Sequence, residues 1–435
     1  MAIKFPRVKG ESIQNLLTRG YLMTSFLRQK AGLSPDSHRP FITQLLGKGA
    51  VFVRGDEGVK FFYDTDLIKR DGAMPKFVQF PLFGNGAVHT LDDEAHRVRK
   101  NAMADVAYED DQVEDFKPYV AEEVDRMHQK WIASHKPGDV HADAALAFGR
   151  AAFRWAGIKV SDKDMNSVIR QLNRLLDKFG KVTGTPIAVF ERFRTNKFYR
   201  EYIEKARAGE VEVPKNSAVE HMANLRDENG ELVDAQVAGV ELQNLTRPTV
   251  AVGRFAAFAA VALAEHPEWI ERIRNAAKDA DGFKGDVKEA FAFAEETRRA
   301  FPFVPMLPGF ARKETEVSGC PVHKGQRVII DIVGTLNSPK EWKTPATFDP
   351  ERFMDYENQA DTESITSFIP QGGAEVRTGH RCPGEKIAVA ALASAVEVLT
   401  RPGVEISTDR EDTTFDWTTV LTRPSTGVRV TAEKA

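Results

Sequence analysis

A helical pattern that begins at Asp234, a candidate N-cap, and runs to about Glu265, where His266-Pro267 stops it, constrains this chain more than any other feature. A helix of that length belongs in a mainly α protein. Its most apolar run, residues 255–264, is half of the roughly 20 residues needed to cross a hydrocarbon core, so no transmembrane segment is expected. Residues 162–179 form a second helix, with Val168, Leu172, Leu175, Leu176 and Phe179 on helical spacing. Residues 197–208 read as a polar surface helix, 209–220 as a loop and 383–399 as a final helix. Strands are expected at 51–54 and 59–63, paired around the turn formers 55–58, and at 327–333. Residues 339–358 look irregular, and 416–431 carry short β-like runs.

The expected fold class is therefore mainly α with small β-sheets in a single large domain. Its helical body covers about 94–300, with β-containing parts near 45–65 and 301–435. The 435 residues exceed the usual size of one core, yet no linker divides them. Lys+Arg is 60 against Asp+Glu 63, a balance that gives no reason to expect nucleic acid or an anionic membrane as partner. Two cysteines, Cys320 and Cys382, exclude a disulfide scaffold. The opening residues MAIKFPRVKG lack the apolar region of a secretory signal, so a cytoplasmic location is expected.

Cys382 ends a glycine-rich segment, residues 370–384, and opens an alanine-rich helix. A thiol at a helix N-terminus beside Arg381 gains thiolate character, and a thiolate is a nucleophile or a metal ligand. On the cysteine alone, a packed thiol is an equal alternative. Phe368, Gly379 and Gly384 mark a loop whose backbone can approach a flat ligand closely. Upstream, Glu296 and Arg299 stand one helical turn apart, and Arg352 can join them in a charge triad.

In this order and at these separations the residues resemble the cytochrome P450 family of haem-thiolate proteins, over almost the whole chain. The resemblance implies the cytochrome P450 fold, haem b as cofactor and Cys382 as the axial iron ligand. It makes Glu296, Arg299 and Arg352 a structural triad. It also makes His96 and Lys100, four apart on one helix face, and His380 partners of the haem propionates. The segment from Phe368 to Cys382 is longer than the ordinary family loop because of an insertion at 372–378. That insertion resembles the peroxide-driven fatty-acid branch of the family.

Oxygen-activating relatives carry an acid followed by a threonine in the long helix, where this chain has Arg247-Pro248. A proline there removes a hydrogen bond, costs about 3 kcal/mol and is expected to kink the helix over the haem. A guanidinium in an apolar site needs a partner, and a bidentate carboxylate is the natural one. A long-chain fatty acid fits, and its carboxylate can move protons on hydrogen peroxide, so no redox partner is required. Arg254, seven positions on and on nearly the same face, is either a second anion anchor or a residue turned outward to solvent, and the second is expected.

His89 falls where hydroxylating relatives resemble one another in a glutamine and the alkene-forming decarboxylase has a histidine. An imidazole titrates near neutrality and can pass protons to the head group. Arg247 and His89 are the expected catalytic residues, and Pro248, Phe83, Phe303 and Val304 complete the expected substrate site. The expected function is a hydrogen peroxide-dependent fatty-acid peroxygenase that makes terminal alkenes with accompanying α- or β-hydroxylation. Alternatives are a fatty-acid α- or β-hydroxylase with little decarboxylation, a reductase-fed monooxygenase, and a non-catalytic haem-binding sensor. The pairing of a distal arginine with a histidine argues against the last.

Overall fold

The computed structural model describes residues 5–180, 183–280 and 285–434. The helix Ala235–Glu265 is its axis. The Asp234 carboxylate caps the start by accepting from the Gln236 amide at 2.7 Å, and Pro267 opens a separate helix, Pro267–Asp279. Pro248 is carried inside the long helix without ending it. By length and composition this helix could cross a membrane, but 83% of its most apolar window is buried inside the protein. An all-round apolar helix is a core helix when neighbours cover every face. The covering helices are Val140–Trp155, Thr185–Ala208 and Glu385–Leu399. Two glycines permit the close approach. A Cβ on Gly253 would lie 2.8 Å from the Ala145 amide nitrogen, and one on Gly239 would lie 2.7 Å from that of Arg200.

A six-stranded sheet flanks this helical body. In space its order is Arg7–Glu11, Phe41–Leu45, Lys48–Val53, Arg327–Asp331, Met306–Ala311 and Ile68–Lys69. Lys48–Val53 lies antiparallel to Phe41–Leu45 and parallel to Arg327–Asp331, with Val51 opposite Val328. The sheet thus ties the start of the chain to the residues beyond 300. A smaller sheet joins Val404–Ile406, Arg429–Ala432 and Gly138–Asp139.

The structure corrects several expectations. No hairpin joins 51–54 to 59–63: the strand ends at Val53 and Gly55–Tyr63 is a helix. Asp56 and Glu57 suit the positive end of a helix, and Val59, Phe62 and Tyr63 are buried at spacings of three and four, a helical stripe read as a strand. The true partner, Phe41–Leu45, extends the β-containing part before residue 45. The strand at 327 stops at Asp331, whose carboxylate caps the helix Ile332–Leu336 through the Gly334 amide at 2.9 Å. Residues 197–208 are the end of Thr185–Ala208, and Tyr199, Tyr202 and Ile203 are buried, so that segment is only half a surface helix. The loop from 209 ends at Ser217, the cap of Ala218–Ala223.

Candidate active site

The Cys382 loop folds back on itself before its helix begins. The Cys382 amide donates to the Gln371 carbonyl at 3.1 Å, and Gly372 has φ +104°, with a Cβ there only 2.6 Å from the His380 carbonyl oxygen. Only glycine fits both conditions. Burial raises the Cys382 thiol above its ordinary pKa, opposed by the Lys100 ammonium and a hydrogen bond from the Gly384 amide. Arg381, expected to stabilise the thiolate, turns away. It donates to Glu385 at 3.2 Å and to the carbonyls of Ala374 at 3.2 Å and Phe368 at 3.3 Å. The cation that serves the sulfur is Lys100, from the helix Asp93–Ala107, whose Nζ donates to the Arg381 carbonyl. Protein surrounds Cys382 and His89 on every side, yet both keep accessible surface, so the face they expose borders interior space.

Behind the loop, the expected triad assembles. Arg299 grips Glu296 with two hydrogen bonds of 2.7 Å, and Arg352 Nε lies 3.6 Å from the same carboxylate. The Asp349 amide donates to it at 2.9 Å, so the triad staples the irregular 339–358 segment to the helix Lys288–Ala300. A second, interleaved set escaped sequence reasoning. Arg298 pairs with Glu295 and with Glu385, all without solvent exposure, and its Nε donates to the Gln371 side chain at 3.0 Å. The signal was present in Glu295-Glu296-Thr297-Arg298-Arg299, where two Glu/Arg pairs each stand one turn apart.

Beside the cysteine, four basic side chains converge. The rings of His96 and His380 meet at a tilt of 37° with centroids 4.3 Å apart, next to Lys100 and Arg70. Burial, then Lys100 and Arg70, brings His96 down to about 4; burial, then Arg70 and His96, holds His380 well below its usual value. Burial brings Lys100 to about 8. The guanidinium of Arg70 and the hydroxyl of Tyr63 are buried beside each other, and no carboxylate side chain forms an ion pair with any of the four among the described residues. Interior space beside a thiol, rimmed by donors that lack acids, fits a flat cofactor with two carboxylate arms. Haem b is such a group. Arg70 and Tyr63 had no motif to announce them.

Opposite the cysteine lies Arg247. It is buried, its Nη2 meets Asn244 Oδ1 at 3.4 Å, its Nε has no partner, and no carboxylate pairs with it among the described residues. Burial lowers it to about 10. Its guanidinium carbon is 5.9 Å from the centre of the Phe83 ring, which stacks on His89 at 4.0 Å. Burial, then Arg247 and Lys100, holds His89 well below its ordinary value, so this imidazole is neutral at neutral pH instead of titrating there. Glu241, unnoticed in the sequence, organises the surroundings. It pairs with Arg99 at 3.0 Å and accepts from the Val88 amide at 2.7 Å and the Asn244 amide group at 3.1 Å.

Arg254 is buried too, contrary to expectation. It donates to Asp177 at 2.6 Å and points towards the Leu421 carbonyl, because the C-terminal segment covers that side of the helix. Phe303, Val304 and Phe83 pack against an apolar cluster of Leu82, Leu175, Leu176, Phe179, Ala251 and Leu421. Pro248 is half-buried beside Arg247. A surface cleft of about 1060 Å³ between Tyr119, Arg154, Lys159 and Ser217 contains none of these residues.

The sequence model of the cytochrome P450 family matches residues 248–430. Ligand-free cytochrome P450 OleT superposes with a TM-score of 0.88 over 98% of both chains at 27% identity. A variant of cytochrome P450SP alpha (CYP152B1) gives 0.85 over 97% of this chain and 98% of that one, at 29% identity. A sterol 14alpha-demethylase of Mycolicibacterium vanbaalenii is 23% identical over 82% of each chain. A mostly helical single domain enclosing a thiol opposite a long distal helix is the architecture of a haem-thiolate oxidoreductase. The chain has the cytochrome P450 fold, matches that family's model over residues 248–430 and is similar to members of its CYP152 branch.

Proposed function

We propose that this protein is a hydrogen peroxide-dependent peroxygenase of long-chain fatty acids that releases terminal alkenes by decarboxylation and also hydroxylates at Cα or Cβ. The observation that carries the reading is Arg247, a guanidinium buried on the long helix within electrostatic reach of Cys382 and without a carboxylate partner among the described residues. A solved OleT variant holds arachidonic acid, and P450EX alpha holds myristic acid, both ligands with one acidic head and an apolar tail.

Haem b would be held through Cys382, with its propionates on His96, Lys100, His380 and Arg70, and would supply the oxidising chemistry, its iron made electron-rich by the thiolate. Arg247 clamps the substrate carboxylate, converting an uncompensated buried charge into a hydrogen-bonded pair. The tail then lies along Leu82, Leu175, Leu176, Phe179, Phe303 and Val304. Held there, the carboxylate takes a proton from hydrogen peroxide and returns it to the departing oxygen, which leaves as water. This replaces the adjacent acid-threonine pair in whose place the helix has Arg247-Pro248, so no reductase is needed. Neutral His89, its ring fixed by stacking on Phe83, donates one N–H to the head group and holds Cβ in place. Decarboxylation balances as acid plus peroxide giving alkene, carbon dioxide and two waters; hydroxylation gives hydroxy acid and one water. The reaction takes place in the cytoplasm.

Purified holoprotein supplied with a saturated long-chain acid and hydrogen peroxide alone is expected to yield the alkene one carbon shorter together with hydroxy acid, read by gas chromatography. Product that forms only with a reductase and NAD(P)H would overturn the proposal.

A further inference from the structure

Arg192, in the helix Thr185–Ala208, has no solvent exposure. Its Nη2 donates to the Phe83 carbonyl at 2.6 Å, while Nε and Nη1 are buried without any partner. No carboxylate pairs with it among the described residues. It belongs to the same enclosed group as Arg247: burial and then Arg247 hold its pKa well below the ordinary arginine value, and both cations act on His89 and on Tyr199. Within that group Arg99 is neutralised by Glu241, 3.0 Å away. Neither Arg192 nor Arg247 forms an ion pair with a carboxylate among the described residues, and Glu241 acts on Arg192 only from a distance. A single carboxylate anchor needs one guanidinium, and this site holds two.

Satisfying the Phe83 carbonyl does not require a charge, because any amide side chain of suitable length could do it. What a second buried guanidinium adds is field. At low effective dielectric a cation acts on an anion several ångströms away without touching it, and water cannot screen it there.

We propose that Arg192 is a specificity-determining residue of the head-group site, a second cation that makes the pocket select ionised carboxylates over neutral head groups on the same tail. The proposal rests on the reading of Arg247 as the carboxylate anchor. Arg192 does not grip the acid. It keeps the Phe83 wall in place through one hydrogen bond and biases the charge state of what binds beside Arg247.

The test is isothermal titration of the holoprotein with decanoic acid and with 1-decanol, which share a tail and differ in head-group charge. Arg192→Gln keeps donors for the Phe83 carbonyl and removes the charge. It is expected to weaken decanoate binding about tenfold while leaving decanol unchanged, and Arg192→Lys is expected to recover most of the loss. Equal weakening of both ligands, or none for decanoate, overturns the proposal. If Arg192→Gln does not fold, Arg247→Gln gives the same information. Its remaining preference for decanoate over decanol is expected to exceed one because of Arg192, and a ratio of one overturns the proposal. A wild-type protein with no preference for the acid would instead sink the reading of Arg247.

Discussion

Arg247 keeps a charge where water cannot solvate it, and Asn244 touches only one of its nitrogens. Its replacement by glutamine is expected to weaken fatty-acid binding by roughly 2–5 kcal/mol, the range for truncating one partner of a buried charge pair. The visible spectrum of the haem-loaded protein should stay unchanged, and a lost spectrum with intact acid binding would contradict the assignment. His89 is the second residue whose setting matters more than its type. Since its imidazole is held neutral, the alkene-to-hydroxy-acid ratio is expected to be flat between pH 6 and 8 and to change only on the acid side, as the ring gains a proton. His89→Gln is expected to lower that ratio, because the stacked ring no longer fixes the head group. Both residues could be picked from the sequence by kind and place. Arg254 could not: its burial depends on Asp177 and Leu421, distant in the chain, and no local pattern announces them.

The helix Lys288–Ala300 carries two charge sets with different duties. Glu296 with Arg299 and Arg352 fastens the irregular segment, whereas Glu295 with Arg298 supports the cysteine loop through Glu385 and Gln371. Burial lifts Glu295 from 4.5 to about 7, with Arg298 opposing and Glu385 adding to the rise. A folded pKa above the unfolded one means that the native state holds a proton the unfolded chain has lost. The stabilisation is therefore full at acid pH and is lost as pH rises through the raised value. Denaturant midpoints from pH 5 to 8 are expected to fall, and Glu295→Gln should flatten the slope. An equally steep fall in the variant would assign it elsewhere. Elements with a strong helical period and a clear stop, such as Ala235–Glu265 and Asp162–Lys178, were legible. Gly55–Tyr63 was not, since a nine-residue helix rich in Val, Phe and Tyr shares its composition with a strand.

At the scale of the whole molecule, the helical body and the six-stranded sheet bring Arg70, His96, Lys100 and His380 to one rim from separate parts of the chain. The charges of Arg70 and Lys100 repel until acids neutralise them, and the two neutral histidines offer N–H donors beside them. Extracting the haem is expected to lower the melting temperature, and refilling with haem should restore it. Haem dimethyl ester, which lacks ionised propionates, should restore less, by about 2 kcal/mol for the lost charge-assisted bonds. Equal recovery by ester and acid would remove these four residues from that role.

The sequence by itself determined the class of this protein, because its defining signals are local: a cysteine after a glycine-rich loop, a Glu and an Arg one turn apart, a proline inside a capped helix. Each depends on spacings along the backbone that hold whatever the rest of the chain does. Only the tertiary structure decided which cations lack acids. That Arg192 and Arg247 have no ion pair among the described residues, that Arg254 is paired and that Lys100 rather than Arg381 serves the sulfur all depend on what distant segments bring, or fail to bring, into a volume from which water is excluded.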